Sequence, residues 1–170
     1  ASTTHAERVE AAEFIEAEMR RQTLYGEGLL LYGQLAQSVL EPAALLAALR
    51  RALDARPDLW QAHSAVCRQH LAMLDAEQAE RVAGAASERF PLVPRLWQDL
   101  ALACRAKGEQ EAEIASLEKA LEISPGWWNA IDLLAGVHER DNDLSAAEAV
   151  VRRALMATPL DSRPRAALGD

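Results

Sequence analysis

Four prolines stand at one spacing: Pro57, Pro91, Pro125 and Pro159, each 34 residues after the one before. A fixed period of this size marks a stack of helical repeats, in which each copy buries its apolar face only against its neighbours. The clearest copy runs from Trp128 to Pro159 and reads WNAIDLLAGVHERDNDLSAAEAVVRRALMATP. The period therefore predicts an all-α chain of paired helices. Composition agrees: half of the 170 residues are hydrophobic, Gly and Pro are few, and alanine and leucine far outnumber β-branched residues. Such a mixture favours helix over strand.

Taken in order, the chain divides into an N-terminal helix (1–25), four copies (26–59, 60–93, 94–127 and 128–161) and a last piece (162–170), all within one domain. Thr4 with Glu7 predicts a capping box opening a helix from about Thr4 to Gln22. Val9, Ala12, Phe14, Ile15 and Met19 are expected on its apolar face, with Glu7, Glu10, Glu13 and Glu16 on its wet face. Helix A of the first copy should reach about Val39, and Pro42 should open helix B as a first-turn proline. Asp75, with Gln78 three residues on, is placed to cap helix B of the second copy. Gly108 and Asn142 end the A helices of the third and fourth copies, where a left-handed residue is needed. Leu74 holds that place in the second copy, so its turn is expected to be the least regular. From Ser162 to Gly169 a further helix begins, either a cap or the start of a continuation of the parent protein.

The copies agree at independent positions. Five residues before each proline stand Ala52, Ala86, Ala120 and Ala154. A larger group there would wedge helix B from its neighbours. The eighth position is small (Gly33, Cys67, Ala101, Ala135) and the seventh large and apolar (Tyr32, Val66, Leu100, Leu134). The acid before helix B is Glu41, Asp75, Glu109 or Asp143, which suits the positive end of the helix dipole. In this register the sequence resembles the tetratricopeptide (TPR) repeat family. It departs from the family pattern at His63, where an aromatic is usual, at Glu113, where alanine is usual, and in the first copy, which lacks the Gly or Asn turn. The resemblance implies a right-handed α-solenoid of about four helix-turn-helix repeats, with an N-terminal capping helix and the start of a further helix at the C-terminus. It also implies that helix A lines a concave face and that the chain is a non-catalytic scaffold binding a protein or peptide.

The family's inner-face positions give the candidate binding residues: Gln61, Ser64 and Arg68 in the second copy; Arg95, Gln98, Leu102 and Arg105 in the third; Asn129, Asp132, Glu139 and Arg140 in the fourth; and Asp99 from a neighbouring slot. Arg68, Arg95, Arg105 and Arg140 on one groove would reverse the local sign of an acidic protein. Arginine forks match carboxylates, so an acidic or C-terminal peptide is one expected partner. The alternative is that these arginines pair with Asp99, Asp132 and Glu139 on the same surface. The set with which TPR domains clamp chaperone tails is not matched, because the corresponding slots hold Leu30, Gln34, Ala65, Arg95 and Asp99.

His63, Cys67 and His70 fall on one helix face in a pattern zinc can use, but the same slots are packing slots in the other copies. No metal or cofactor is therefore expected. Neither a G-x-S-x-G elbow nor a glycine-rich phosphate loop occurs, so no catalysis is expected from these residues. Among Trp60, Trp97, Trp127 and Trp128, Trp97 is expected in the core, and one of the others could serve as a groove anchor.

A formal charge of −8 argues against nucleic acid and anionic membrane as partners. The chain has no apolar run of about 18 residues and no leader pattern, which favours the cytoplasm while leaving the compartment open. Only Lys107 and Lys119 are lysines, an arginine bias associated with GC-rich bacterial genomes. Two rival roles stay open. The chain could be a non-catalytic module of a larger enzyme, or it could form homo-oligomers through apolar faces left exposed on its terminal repeats.

Overall fold

A computed structural model of the chain describes residues 4–21 and 26–157. The expected helix at Ser162–Gly169 lies outside the described residues, as do Gln22 and Pro159. Among the described residues the regular structure is helical, without strands: α1 (His5–Arg20), α2 (Glu27–Ala36), α3 (Pro42–Ala55), α4 (Trp60–Ala72), α5 (Ala76–Arg89), α6 (Pro94–Lys107), α7 (Gln110–Ile123), α8 (Trp128–Arg140) and α9 (Leu144–Ala157). None of these helices is long and apolar enough to cross a membrane. The chain forms two compact units, residues 1–86 and 87–170.

In the first unit α1 opens with the predicted capping box. The Thr4 side chain accepts from the Glu7 N–H, and the Glu7 carboxylate accepts from the Thr4 N–H at 2.6 Å. Ala12, Ile15 and Met19 of α1 join Leu29, Tyr32, Leu45, Leu49 and Val66 in one core. Phe14 does not join them. It is 63% exposed, because a helix turns 100° per residue and places it well around from Ile15. Helix α2 ends at Ala36, short of Val39; the chain tightens there, and the Leu40 N–H donates to the Ala36 carbonyl at 2.8 Å. Gly33 has open space around its Cβ position, so close helix approach does not require glycine there.

In the second unit the core gathers Ala101, Leu117, Ala120, Ile131, Leu134, Val137 and Val151, with Trp97, Trp127 and Trp128 packed on it. The recurrent alanines are buried in every copy, at Ala52, Ala86, Ala120 and Ala154.

The described connectors between copies share one geometry, and so do the A-to-B turns of the last three copies. Pro57, Pro91 and Pro125 each take the second position of a four-residue turn. It is closed by N–H donation from Leu59 to Arg56, from Val93 to Phe90 and from Trp127 to Ser124. Proline presets the φ that this position needs. The fourth-slot residue then seals two of these turns. Trp97 Nε1 donates to the Pro91 carbonyl at 3.0 Å, and His63 Nε2 lies 3.1 Å from the Pro57 carbonyl. Histidine thus makes the contact that the aromatic makes one copy later.

The turns from helix A to helix B in the second, third and fourth copies also match. Asp75, Glu109 and Asp143 each donate their N–H to the carbonyl five residues back, at 2.9 Å. Gly108 (φ 79°) and Asn142 (φ 58°) supply the left-handed residue, as predicted. Leu74 adopts φ 61° in the same hydrogen-bonded turn while 92% exposed, so this turn is as regular as the others and the strain sits on the leucine. Left-handed backbone costs a non-glycine residue about 1–2 kcal/mol, and asparagine tolerates it better. Leu74→Asn is accordingly expected to stabilise the chain by about 1 kcal/mol, raising the thermal midpoint by roughly 2–4 °C in differential scanning calorimetry. An unchanged or lower midpoint would contradict the strain argument.

Candidate functional site

The candidate residues lie on the A helices: α4 in the first unit, α6 and α8 in the second. On α4, Ser64 is fully buried and cannot meet a partner. Gln61 is half-buried and donates to Glu27 Oε1 of α2 at 3.4 Å; Arg68 is also half-buried. Cys67 and His70 are buried, while His63 is half-buried against the Pro57 turn. His70 is buried with Nε2 3.2 Å from Arg50 Nη2 and Nδ1 3.1 Å from Asp75 Oδ2. A guanidinium only donates, so Nε2 accepts and the ring proton sits on Nδ1, toward Asp75. The carboxylate of Asp75 also takes the Gln78 N–H at 3.3 Å, capping α5 as expected.

On α6, Asp99 is fully buried and pairs with Arg95, whose Nε lies 3.5 Å from Asp99 Oδ1. Gln98 is buried too, and its Oε1 accepts from Trp127 Nε1 at 2.9 Å. Arg105, one helical turn before the left-handed Gly108, is exposed. On α8, Asn129, Asp132 and Glu139 are exposed. Arg140 reaches across to α7, where Nη2 meets both oxygens of Glu113, at 2.9 and 3.1 Å. The Glu113 side chain is only 3% exposed, against 39% for Arg140.

The expected cluster of four open arginines is therefore reduced. Arg95 and Arg140 answer to acids of the fold, which is the pairing the sequence left as the alternative, although the partner of Arg140 is Glu113 rather than Asp132 or Glu139. Gln98 and Asp99 are interior groups, like Ser64. The surface keeps Arg105, Asn129 and Asp132, with Gln61 and Arg68 half-covered. All four tryptophans are half-buried, Trp97 included. Trp128 instead lines a depression of about 270 Å³ between α8 and α9, beside Ala135, Leu144 and Val151 and under the acids Asp132 and Glu139.

Residues 94–126, which span α6 and α7, match the tetratricopeptide repeat as a family. Solved structures extend the likeness along the chain. TTC0263, a thermophilic TPR protein of Thermus thermophilus, superimposes with a TM-score of 0.75 at 18% identity, covering 95% of this chain and 89% of its own. The chain has the tetratricopeptide-repeat fold. MamA of Desulfovibrio magneticus RS-1 has the same fold, with a TM-score of 0.67 at 18% identity over 90% of this chain and 86% of that one. No curated protein matches the sequence. In the TPR frame the two departures seen in the sequence acquire physical accounts. His63 keeps the aromatic's hydrogen bond, and Glu113 stands opposite Arg140. The Gln98–Trp127 bond had no sequence signal, because neither residue departs from its slot in a way that names the other.

Proposed function

We propose that this TPR protein is a scaffold that holds a protein or peptide against the exposed sides of its A helices. One observation supports this reading most. The polar groups buried beside the surface of α6 and α8 are tied between helices, Gln98 to Trp127 and Glu113 to Arg140. Those ties hold Arg105, Asn129 and Asp132 on a stiff frame. A stiff surface loses little conformational freedom on binding, so modest contacts suffice for affinity. The partner chemistry that suits Arg105 is an acidic side chain or a C-terminal carboxylate, which a guanidinium fork binds in two-pronged geometry.

The test is capture from a lysate of the source organism on the immobilised chain, followed by binding measurements with the purified captured protein. Arg105→Ala is expected to weaken that binding about tenfold or more, since a charge-assisted hydrogen bond contributes about 1.5–3 kcal/mol. Equal affinity for both proteins would remove Arg105 from recognition. Retention of no protein at all would count against the scaffold reading itself.

A further inference from the structure

Helix α1 carries a second surface, independent of the A-helix faces. Glu10, Glu13, Phe14, Ala17, Arg20 and Arg21 recur at helical spacing along one side of it, and all six are exposed. Their order has a polarity. Both acids lie toward the N-terminal end and both arginines toward the C-terminal end, with Phe14 and the small Ala17 between. The charge order alone suits the helix's own dipole. The dipole gives no reason for a phenylalanine 63% exposed at the middle of a charged face.

We propose that this face of α1 pairs with the same face of a second copy, the two helices running antiparallel about a two-fold axis at Ala17. A two-fold interface must be self-complementary. Reversing this helix on itself brings the acidic half over the basic half, so Glu13 meets the arginines of the other copy and its own arginines receive the other copy's Glu13. A parallel arrangement would set like charges together. Ala17, lacking bulk, lets the helices approach, and each Phe14 is covered by the aliphatic stem and guanidinium of an arginine opposite. Arg20 and Arg21 now hold Glu16 at 2.6 Å and Glu18 at 2.8 Å within their own helix, while about three-quarters exposed. Exposed pairs of that kind contribute little and exchange readily. Glu16 is also anchored from behind, accepting from the buried Tyr32 hydroxyl at 3.2 Å, which fixes the rim of the face. The hydrogen bond from Arg20, ahead of the one from Tyr32, holds the Glu16 carboxyl below the usual range, and burial, with Glu16 beside it, pushes Tyr32 up to about 12.

One helix face is a small interface, so the dimer falls at the weak end, with a dissociation constant on the order of 10–100 µM. Sedimentation equilibrium of the 170-residue chain across that range should show a monomer–dimer equilibrium. Phe14→Ser, at an exposed position, should keep the helical circular dichroism and weaken the dimer about tenfold or more. Glu13→Arg should do the same, and adding Arg21→Glu, the residue opposite it across the axis, should restore dimerisation. Ala17→Cys should cross-link to itself under mild oxidation while Glu10→Cys should not, because only the residue on the axis faces its own copy. A chain monomeric at about 1 mM overturns the proposal, as does a dimer indifferent to Phe14→Ser or a charge-swapped double variant that stays monomeric.

Discussion

Arg140→Ala is expected to cost about 3 kcal/mol of stability, whereas Glu113→Ala should cost less than about 1 kcal/mol. The inequality follows from burial. Removing Arg140 leaves the Glu113 carboxylate almost wholly enclosed between α7 and α8 without its cation. Breaking a buried pair from the exposed side in this way typically costs about 3–5 kcal/mol, and the partial exposure of Arg140 argues for the lower end. Removing Glu113 instead frees a guanidinium that is already 39% exposed and can turn to water. It also puts alanine where the repeat ordinarily has alanine. In thermal unfolding the first variant should lose roughly 6–12 °C and the second little. The double variant should regain most of what Arg140→Ala alone loses, giving a coupling term near the full effect. Equal losses for the two single variants would mean that the pair is solvated and the asymmetry absent.

A second large effect is expected at the recurrent alanine of the third copy. Ala120 is fully buried within the core of the second unit. Ala120→Leu adds a branched side chain where no room exists, at a cost of about 3 kcal/mol from displaced rotamers and backbone. Ala115→Leu, on the exposed side of the same helix, is the matched control and should stay within about 0.5 kcal/mol. Denaturant melts of both variants decide the matter. A small shift for Ala120→Leu would show that α7 can move away from its neighbours, and the account of the alanine series would need replacing.

The fold was legible because its causes are local and repeated. Each proline sits at a turn position that proline favours, and Gly108 and Asn142 supply the left-handed residue that ends an A helix. Leu74 shows that the turn is set by its hydrogen bonds rather than by residue choice, since leucine is held in the same geometry. The misplaced residue was Phe14. Its neighbours Ile15 and Met19 are core groups, and apolar character alone does not say which side of a helix it takes. The candidate surface was read less well than the fold. Slot numbering placed Ser64 and Gln98 on an inner face, with Asp99 added from a neighbouring slot, yet each turns into the protein. A slot names a direction from one helix, and a neighbouring helix decides whether that direction ends in water.

The sequence by itself determined the helical class, the register of the copies, the helix caps and the turn positions, because these depend on residues within one period of each other. Only the tertiary structure decided which charges stay open to a partner. Arg140 and Glu113 are 27 residues apart in the chain, and nothing in their spacing selects that pairing over Asp132 or Glu139. The choice rests on how deeply each carboxylate is withdrawn from water, a property of packed helices rather than of the order of their residues.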